Sequence, residues 1–332
     1  MRPKDVRECV EIVAAHPITG PRYANSLGDL RTAWLRLLSS DGFCSAMVFE
    51  DVEEGSGRAR SRMAGIGVTV CVSGDFLREV KTPPFFWIGP ELAKRVARGD
   101  SPLLSEKQLR EANSGSGLNL MVWHACIRME AIKRVEVWQE LMTTFLDEHR
   151  GFLFSCIAVQ ADSLEHLEGI RNTGGRLLKP ASGRYEDFEG KNLGEIISEP
   201  HILGLTRQTA LEQLGSWIGL LFVHEPPRFG FSRSEQRLLL AALAGGTDEE
   251  LSEQLGIALS TTKKMWRSVY HRVAAINPEL IPNDSREDGV TSKRGKSKKQ
   301  RLMTYLRDHR EELRPVSRNL LQHRTVPVRG RA

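Results

Sequence analysis

The sequence predicts an α/β N-terminal domain built on a mixed central sheet, joined to an all-α C-terminal domain. Three observations lead there. The spacing of apolar residues changes from near four to near two after residue 40, and the two habits alternate from then on. Pro226-Pro227 closes the alternating part. Beyond it lie two helix starts of one chemical form, Ser232 with Glu235 and Thr247 with Glu250. A hydroxyl followed three residues on by a carboxylate is a capping box, in which each side chain takes a backbone N–H that the helix leaves unpaired.

Asp5 and Glu8, with Val6, Cys9, Val10 and Val13, predict a capped amphipathic helix, and Leu27, Leu30, Trp34, Leu37 and Leu38 a second. Residues 43–49 and 63–72 alternate as paired strands around the turn formers Glu54-Gly55-Ser56-Gly57. Pro83-Pro84, Phe85-Phe86-Trp87 and Gly89-Pro90 break every period between 74 and 117, which reads as a loop packed on the core. Residues 118–127 then predict a buried strand. Val135, Trp138, Leu141, Met142, Phe145 and Leu146 predict a long helix, 152–159 a strand, and Asp162 with Glu165 the start of a helix bearing Leu164, Leu167 and Ile170. A Gly-rich stretch at 174–194 leads to a helix near 207–214 and a last strand at 217–223.

After Ser232, Leu238, Leu239, Ala242 and Leu243 form an apolar stripe that Gly245-Gly246 ends. Asp248 to about Leu255 is a second short helix, and Gly256 supplies the positive φ of a tight exit. A third helix starts near Leu259. Projected at 100° per residue, Thr262, Met265, Trp266, Val269, Tyr270 and Val273 share one arc, and Ser260, Lys263, Lys264, Arg267 and His271 the opposite one. The second helix carries Asp248, Glu249, Glu250 and Glu253, whereas 259–275 contain Lys263, Lys264, Arg267 and Arg272 and no acid. Only the third helix can meet phosphate without repulsion. Short helix, glycine turn and longer basic helix outline a helix-turn-helix whose last helix enters the major groove. A protein-binding three-helix bundle has the same outline, and the agreement of caps, period and charge favours DNA.

These residues also resemble the LuxR-type helix-turn-helix of bacterial transcription regulators. The match runs through Ser232, Glu235, Leu238-Leu239, Gly246, Glu250-Leu251, Leu255-Gly256-Ile257, Thr261, Lys263, Val269-Tyr270 and Val273 without a gap. Ala258 stands where that family usually has a serine N-cap, and Trp266 where it usually has leucine. The family's fourth helix, often its dimer contact, is not legible past Asn277-Pro278. The resemblance implies double-stranded DNA as partner, a homodimer, and contacts from Ser260, Thr261, Lys263, Lys264, Arg267 and His271.

The element order of the first part is similar to a GNAT-type N-acetyltransferase fold lacking its first strand. Such enzymes place a Q/R-x-x-G-x-G/A loop after a strand, so that helix N-terminal amides hold the pyrophosphate of acetyl-CoA. Here the junction reads Arg128-Met129-Glu130-Ala131, and the nearest imitation, Arg110 with Gly115 and Gly117, precedes the strand. The expectation is therefore a degenerate or repurposed GNAT-like domain rather than an enzyme. The alternative is a GNAT-like acetyltransferase carrying a helix-turn-helix for recruitment.

Composition agrees with a soluble protein, 40% apolar and 27% charged. The net charge of +5 is uneven, since residues 285–332 hold 14 Lys or Arg against 5 acids and leave the rest of the chain at −4. Five scattered cysteines without a C-x-x-C pair predict a reducing compartment and no zinc site. No apolar run is long enough to span a bilayer, so the expected place is the cytoplasm. A receiver domain and an acyl-homoserine-lactone sensor are not evident. Gly289 is one residue too distant from Gly295-Lys296-Ser297 for a P-loop, and neither H-E-x-x-H nor G-x-S-x-G occurs. His124 and His166 read as core histidines, and Cys126 has no identifiable base. Catalytic residues, metal and cofactor are thus each read as none.

The domains expected are 1–223, a sensory or assembly domain open to an unidentified small-molecule or protein signal; 224–230, a Pro-rich linker; 231–278, the DNA reader; and 279–332, a basic tail. In that tail 284–299 reads as disordered linker. Leu302, Leu306 and Leu313 read as a short helix, and the whole reads either as a solvated basic tail or as a second phosphate-tracking arm.

Overall fold

A computed structural model describes residues 1–54, 58–179, 196–213, 215–281 and 291–317. The chain divides into two compact units. The first comprises residues 1–112, 116–149 and 153–222, and the second Val223–Ala332 with the short pieces 113–115 and 150–152.

The first unit is mixed α/β. Helices α1 (Val6–Ala15), α2 (Thr19–Arg22) and α3 (Leu27–Leu37) precede strands β1 (Phe43–Glu54) and β2 (Arg58–Val72). Three helices, α4 (Gly74–Val80), α5 (Ile88–Arg98) and α6 (Glu106–Ser114), occupy the stretch expected as loop. Prolines break the apolar period there, yet α4 ends before Pro83 and α5 takes Pro90 into its first turn, where the missing N–H has no helical partner to lose; Ser73 caps α4 by accepting from the Phe76 amide, and Gly99 ends α5 at φ 92°. β3 (Leu118–Ile127), α7 (Val135–His149), β4 (Phe154–Ser163), α8 (Leu164–Asn172), β5 (Arg176–Lys179), β6 (Ile196–Thr206) and α9 (Arg207–Glu212) complete it.

The sheet order is β1-β2-β3-β4-β6-β5. Every neighbouring pair is antiparallel except β3 and β4. That parallel pair needs a crossover, and α7 supplies it. On one face α1, α3, α4 and α5 bury Ile12, Trp34, Phe76 and Leu92 against Ile66, Val68, Val70 and Val72 of β2. On the other, Val137 and Leu141 of α7 pack on Ala46, Val48 and Ala64. A Cβ at Gly67 would meet Leu141 at 3.0 Å, so the missing side chain lets α7 approach the sheet. Of the stripe the sequence suggests, Leu141 is buried and Met142 packs beside it, whereas Val137 takes the place of Val135 and Trp138, which are exposed.

Two strands differ from expectation. The segment expected as the last strand, 217–223, holds a 3-10 helix at Ile218–Phe222. The sheet position beside β4 is already taken by β6, and Phe222 instead packs edge-on against Phe154, ring centres 6.4 Å apart. β6 itself was hidden by Pro200 and Gly204, residues that weaken a strand reading. Pro200 is accommodated where the β4–β6 register slips between Ala161 and Ser163. Residues 55–57 of the expected turn and most of the Gly-rich stretch lie outside the described residues.

The second unit is helical. α10 (Arg233–Leu243), α11 (Asp248–Leu255), α12 (Leu259–Ile276) and α13 (Thr291–Asp308) are followed by a 3-10 turn at Arg310–Leu313. Its core takes Leu238 and Leu239 from α10, Leu251 from α11, Trp266, Val269 and Val273 from α12, and Leu302, Met303 and Leu306 from α13. Phe229, expected in a linker, is buried there. The region expected as a basic tail with a short helix thus contributes an eighteen-residue helix to this core. Its polar first turns hid it, because only the second half carries apolar residues.

The Glu312 carboxylate, buried, accepts from the amides of Arg228 at 2.8 Å and Phe229 at 3.0 Å. Burial pushes its pKa up to about 7 against the pull of those amides, from an ordinary 4.5. A group with a raised folded pKa contributes most below its unfolded value and loses that contribution as pH rises through the folded one. Glu312→Gln is therefore expected to gain on the natural protein by up to roughly 3 kcal/mol between pH 5 and 8, read from urea unfolding at each pH. An equal difference across that window would count against it.

Candidate nucleic-acid interface and a cleft in the sheet

Both capping boxes form. Ser232 accepts from the Glu235 amide while the Glu235 carboxylate accepts from the Ser232 amide at 2.7 Å, and Thr247 and Glu250 repeat the arrangement. Gly256 ends α11 in the left-handed region at φ 65°, turning the chain into α12. Ala258 caps α12 by backbone alone, its carbonyl taking the Thr261 and Thr262 amides. Ser260 lies inside the helix and replaces no cap.

Around α12 the two arcs separate. Thr262, Trp266, Val269 and Val273 are buried, with Met265 and Tyr270 half-buried. Ser260, Thr261, Lys263, Lys264, Arg267 and His271 are all exposed. α11 and α12 are pinned by a bond between the Ser252 and Thr262 hydroxyls at 3.0 Å, and by the Trp266 indole N–H donating to Asp248 at 3.2 Å. Arg272, counted with the basic residues in the sequence, is drawn to Glu235 at 3.5 Å instead. Burial alone would raise the Glu235 carboxyl. The Ser232 amide, the Ser268 hydroxyl and Arg272 outweigh it and hold the group below its usual range. α10 and α12 are thereby joined through an ion that the capping box also uses. Sequence spacing could signal the cap but not its second partner.

In the first unit β3 and β4 pair from Leu118 and Phe154 to Val122 and Val159, and among the described residues their ladder goes no further. The β2–β3 register slips there as well, leaving Trp123 without a partner between Val122 and His124. A cavity of about 50 Å³ opens here, lined in part by Thr19, Arg22, Tyr23, Trp87, His124 and Asp162. The Trp123 indole donates to the Tyr23 hydroxyl at 3.0 Å, and that oxygen is 2.8 Å from His124 Nε2. An indole N–H can only donate, so the tyrosine proton is free to go to the imidazole. Burial depresses His124 to about 3 and keeps it neutral. Burial raises the Cys126 thiol to about 12, so it is no thiolate near neutral pH. Opposite, Arg22 stacks on Trp87, and Asp162 accepts from Thr19 and bonds His166 at 3.1 Å. Burial would raise the Asp162 carboxyl, and His166, Thr19 and His16 together bring it below its usual range. His124 is the satisfied core histidine that its apolar surroundings predict, and its partner Tyr23, a hundred residues away, carries no motif that reveals the pair.

Among the described residues Glu225, His309 and Glu311 bring ligand atoms within 4.8 Å of one another. His309 Nδ1 already bonds Glu311 at 2.8 Å. Their sequence spacing matches no ligand motif, and the sequence reading named no metal residue.

No protein-family model matches the chain, and no curated protein sequence is similar to it. The LuxR-type resemblance of residues 232–273 therefore has no family model behind it. A solved structure from Corynebacterium glutamicum is similar, titled histone acetyltransferase HPA2 and related acetyltransferase. The match covers 61% of this chain and 92% of that one, at 10% identity and a TM-score of 0.31. That title stands against the expectation that the chain is no enzyme, and the expectation is not kept. Among the described residues no helix is long and apolar enough to cross a membrane.

Proposed function

We propose that the chain is a transcription regulator of the LuxR-type helix-turn-helix class, with α12 as the helix that enters the major groove of duplex DNA. One observation supports this most. α12 exposes Ser260, Thr261, Lys263, Lys264, Arg267 and His271 on the side opposite a buried seam, and the helix contains no acid. Lysine and arginine at a groove wall neutralise phosphates, and arginine or lysine reaching the floor reads guanine edges. Ser260 and Thr261, in the first turn, are placed for backbone or base contacts at the groove entrance. A second copy of the chain would supply the second half-site.

Replacing one base contact, Arg267→Ala, is expected to cost roughly 1–3 kcal/mol and relax specificity at one position. Replacing a phosphate contact, Lys263→Ala, weakens all duplexes alike and lowers the salt slope by about 1. Gel-shift titrations of both variants from low to high salt check this. Unchanged affinity and unchanged slope in both would remove α12 from the interface.

A second reading, a GNAT-like acetyltransferase recruited by the helix-turn-helix, is favoured by the parallel β3–β4 pair, whose ladder ends at Val122 and Val159 beside the cavity. Titration of acetyl-CoA by calorimetry separates the readings. Saturable micromolar binding favours the enzyme, and no heat favours the regulator with a repurposed first unit.

A further inference from the structure

We propose that α13 is a second DNA-contacting element, a basic helix fixed beside α11 and α12 whose outward cations take phosphates flanking the groove that α12 enters. The inference rests on the DNA-binding reading and extends the surface beyond the helix-turn-helix.

Charge is the first observation. Lys293, Arg294, Lys296, Lys298, Lys299, Arg301 and Arg307 fall within eighteen residues whose one acid is Asp308 at the end. The partner that matches such a density of one sign is a polyanion, and the phosphates of a duplex recur every few ångströms along its axis.

Docking is the second. Leu302, Met303 and Leu306 seat α13 in the same core as Trp266, Val269 and Val273 of α12. Lys299 precedes Leu302 by three and Met303 by four residues, so it falls on that buried stripe. A cation there is costly unless paired. It is paired: its Nζ is 3.1 Å from Asp248 Oδ1, and 5.0 Å from the centre of the Trp266 ring. The helix is thereby locked in rotation, and Arg301 and Arg307 stay exposed.

The locked point is the third. Asp248 begins α11, whose first turn also holds Glu249 and Glu250. Acids at that end would repel a phosphate lying next to α12. Glu250 is held in the capping box, and Asp248 is taken by the Trp266 indole and Lys299. α13 therefore offsets the acidic end of its neighbour while bringing its own cations alongside. A freely solvated tail would need no such lysine.

The test uses the full chain and labelled duplexes of fixed length, titrated across salt. Arg294→Ala/Lys298→Ala/Arg301→Ala/Arg307→Ala leaves Lys299 and the docking residues Leu302, Met303 and Leu306 untouched. Its salt slope is expected to fall by about 2–4, at close to 0.9 for each phosphate released. Affinity should drop by a similar factor on every sequence. Lysine at the same four positions should restore the slope, and the helical circular dichroism should match the natural protein. A quadruple variant with the natural slope, while Lys263→Ala lowers it, overturns the role of α13 and leaves the α12 reading standing. If the natural chain binds no duplex in a salt-dependent way, both fall together.

Discussion

Gly204→Ala is expected to cost the α/β unit about 4 kcal/mol or more, enough to unfold a domain of ordinary stability. Gly204 sits in β6 opposite Ala158 of β4. A Cβ built there would lie 2.0 Å from the Ile157 carbonyl oxygen and 3.0 Å from the Ala158 Cα. Both are backbone atoms of an inner strand, so no side-chain rotamer relieves the clash and the strands must part. Separation would break a run of ladder hydrogen bonds and disturb the packing of Leu203 and Leu205, both fully buried. Gly28→Ala is the control. It lies in α3 with no atom within 4 Å of the added methyl, and should stabilise by about 0.4–1 kcal/mol through the unfolded chain. Urea unfolding followed by tryptophan fluorescence reads both. A Gly204→Ala midpoint close to the natural one would show that β4 and β6 do not pair in this register.

Gly204 also explains why part of the fold escaped the sequence. Where an apolar run has no breaker inside it, as in residues 118–127, the expected buried strand and the observed one share the same bounds. β6 instead interrupts its apolar run with Pro200 and Gly204, which local propensity treats as breakers and which only the neighbouring strand makes sense of. The helices α4 and α5 are hidden by Pro83-Pro84 between them and by Pro90 in the first turn of α5. The capping boxes at Ser232 and Thr247 were legible because a cap is a contact between residues three apart. The Tyr23–His124 pair, the Glu235–Arg272 tie and the Lys299–Asp248 lock join residues tens of positions apart, and no periodicity encodes them. Local chemistry was readable, and long-range pairing was not.

Trp266→Ala is expected to destabilise the helical unit by about 3–5 kcal/mol and to weaken duplex binding with it. The indole is nearly fully buried, donates to Asp248, stacks on Tyr270 at 5.5 Å between ring centres, and carries Lys299 over its face. Truncation opens a cavity where α11, α12 and α13 meet and removes three directional contacts at once. Trp266→Leu, the residue usual in the family this stretch resembles, restores apolar volume but neither the Asp248 bond nor the platform for Lys299, and should cost roughly half as much. The two units can be followed separately, because the other five tryptophans all lie before residue 223. In the alanine variant the fluorescence transition should keep its midpoint, while helical circular dichroism shows an earlier loss. Because Lys299 would lose its seat, the contribution of α13 to the salt slope should fall as well, although no cation has been removed. Unmoved circular dichroism together with an unmoved slope would mean that neither the packing of α12 nor the position of α13 depends on this side chain.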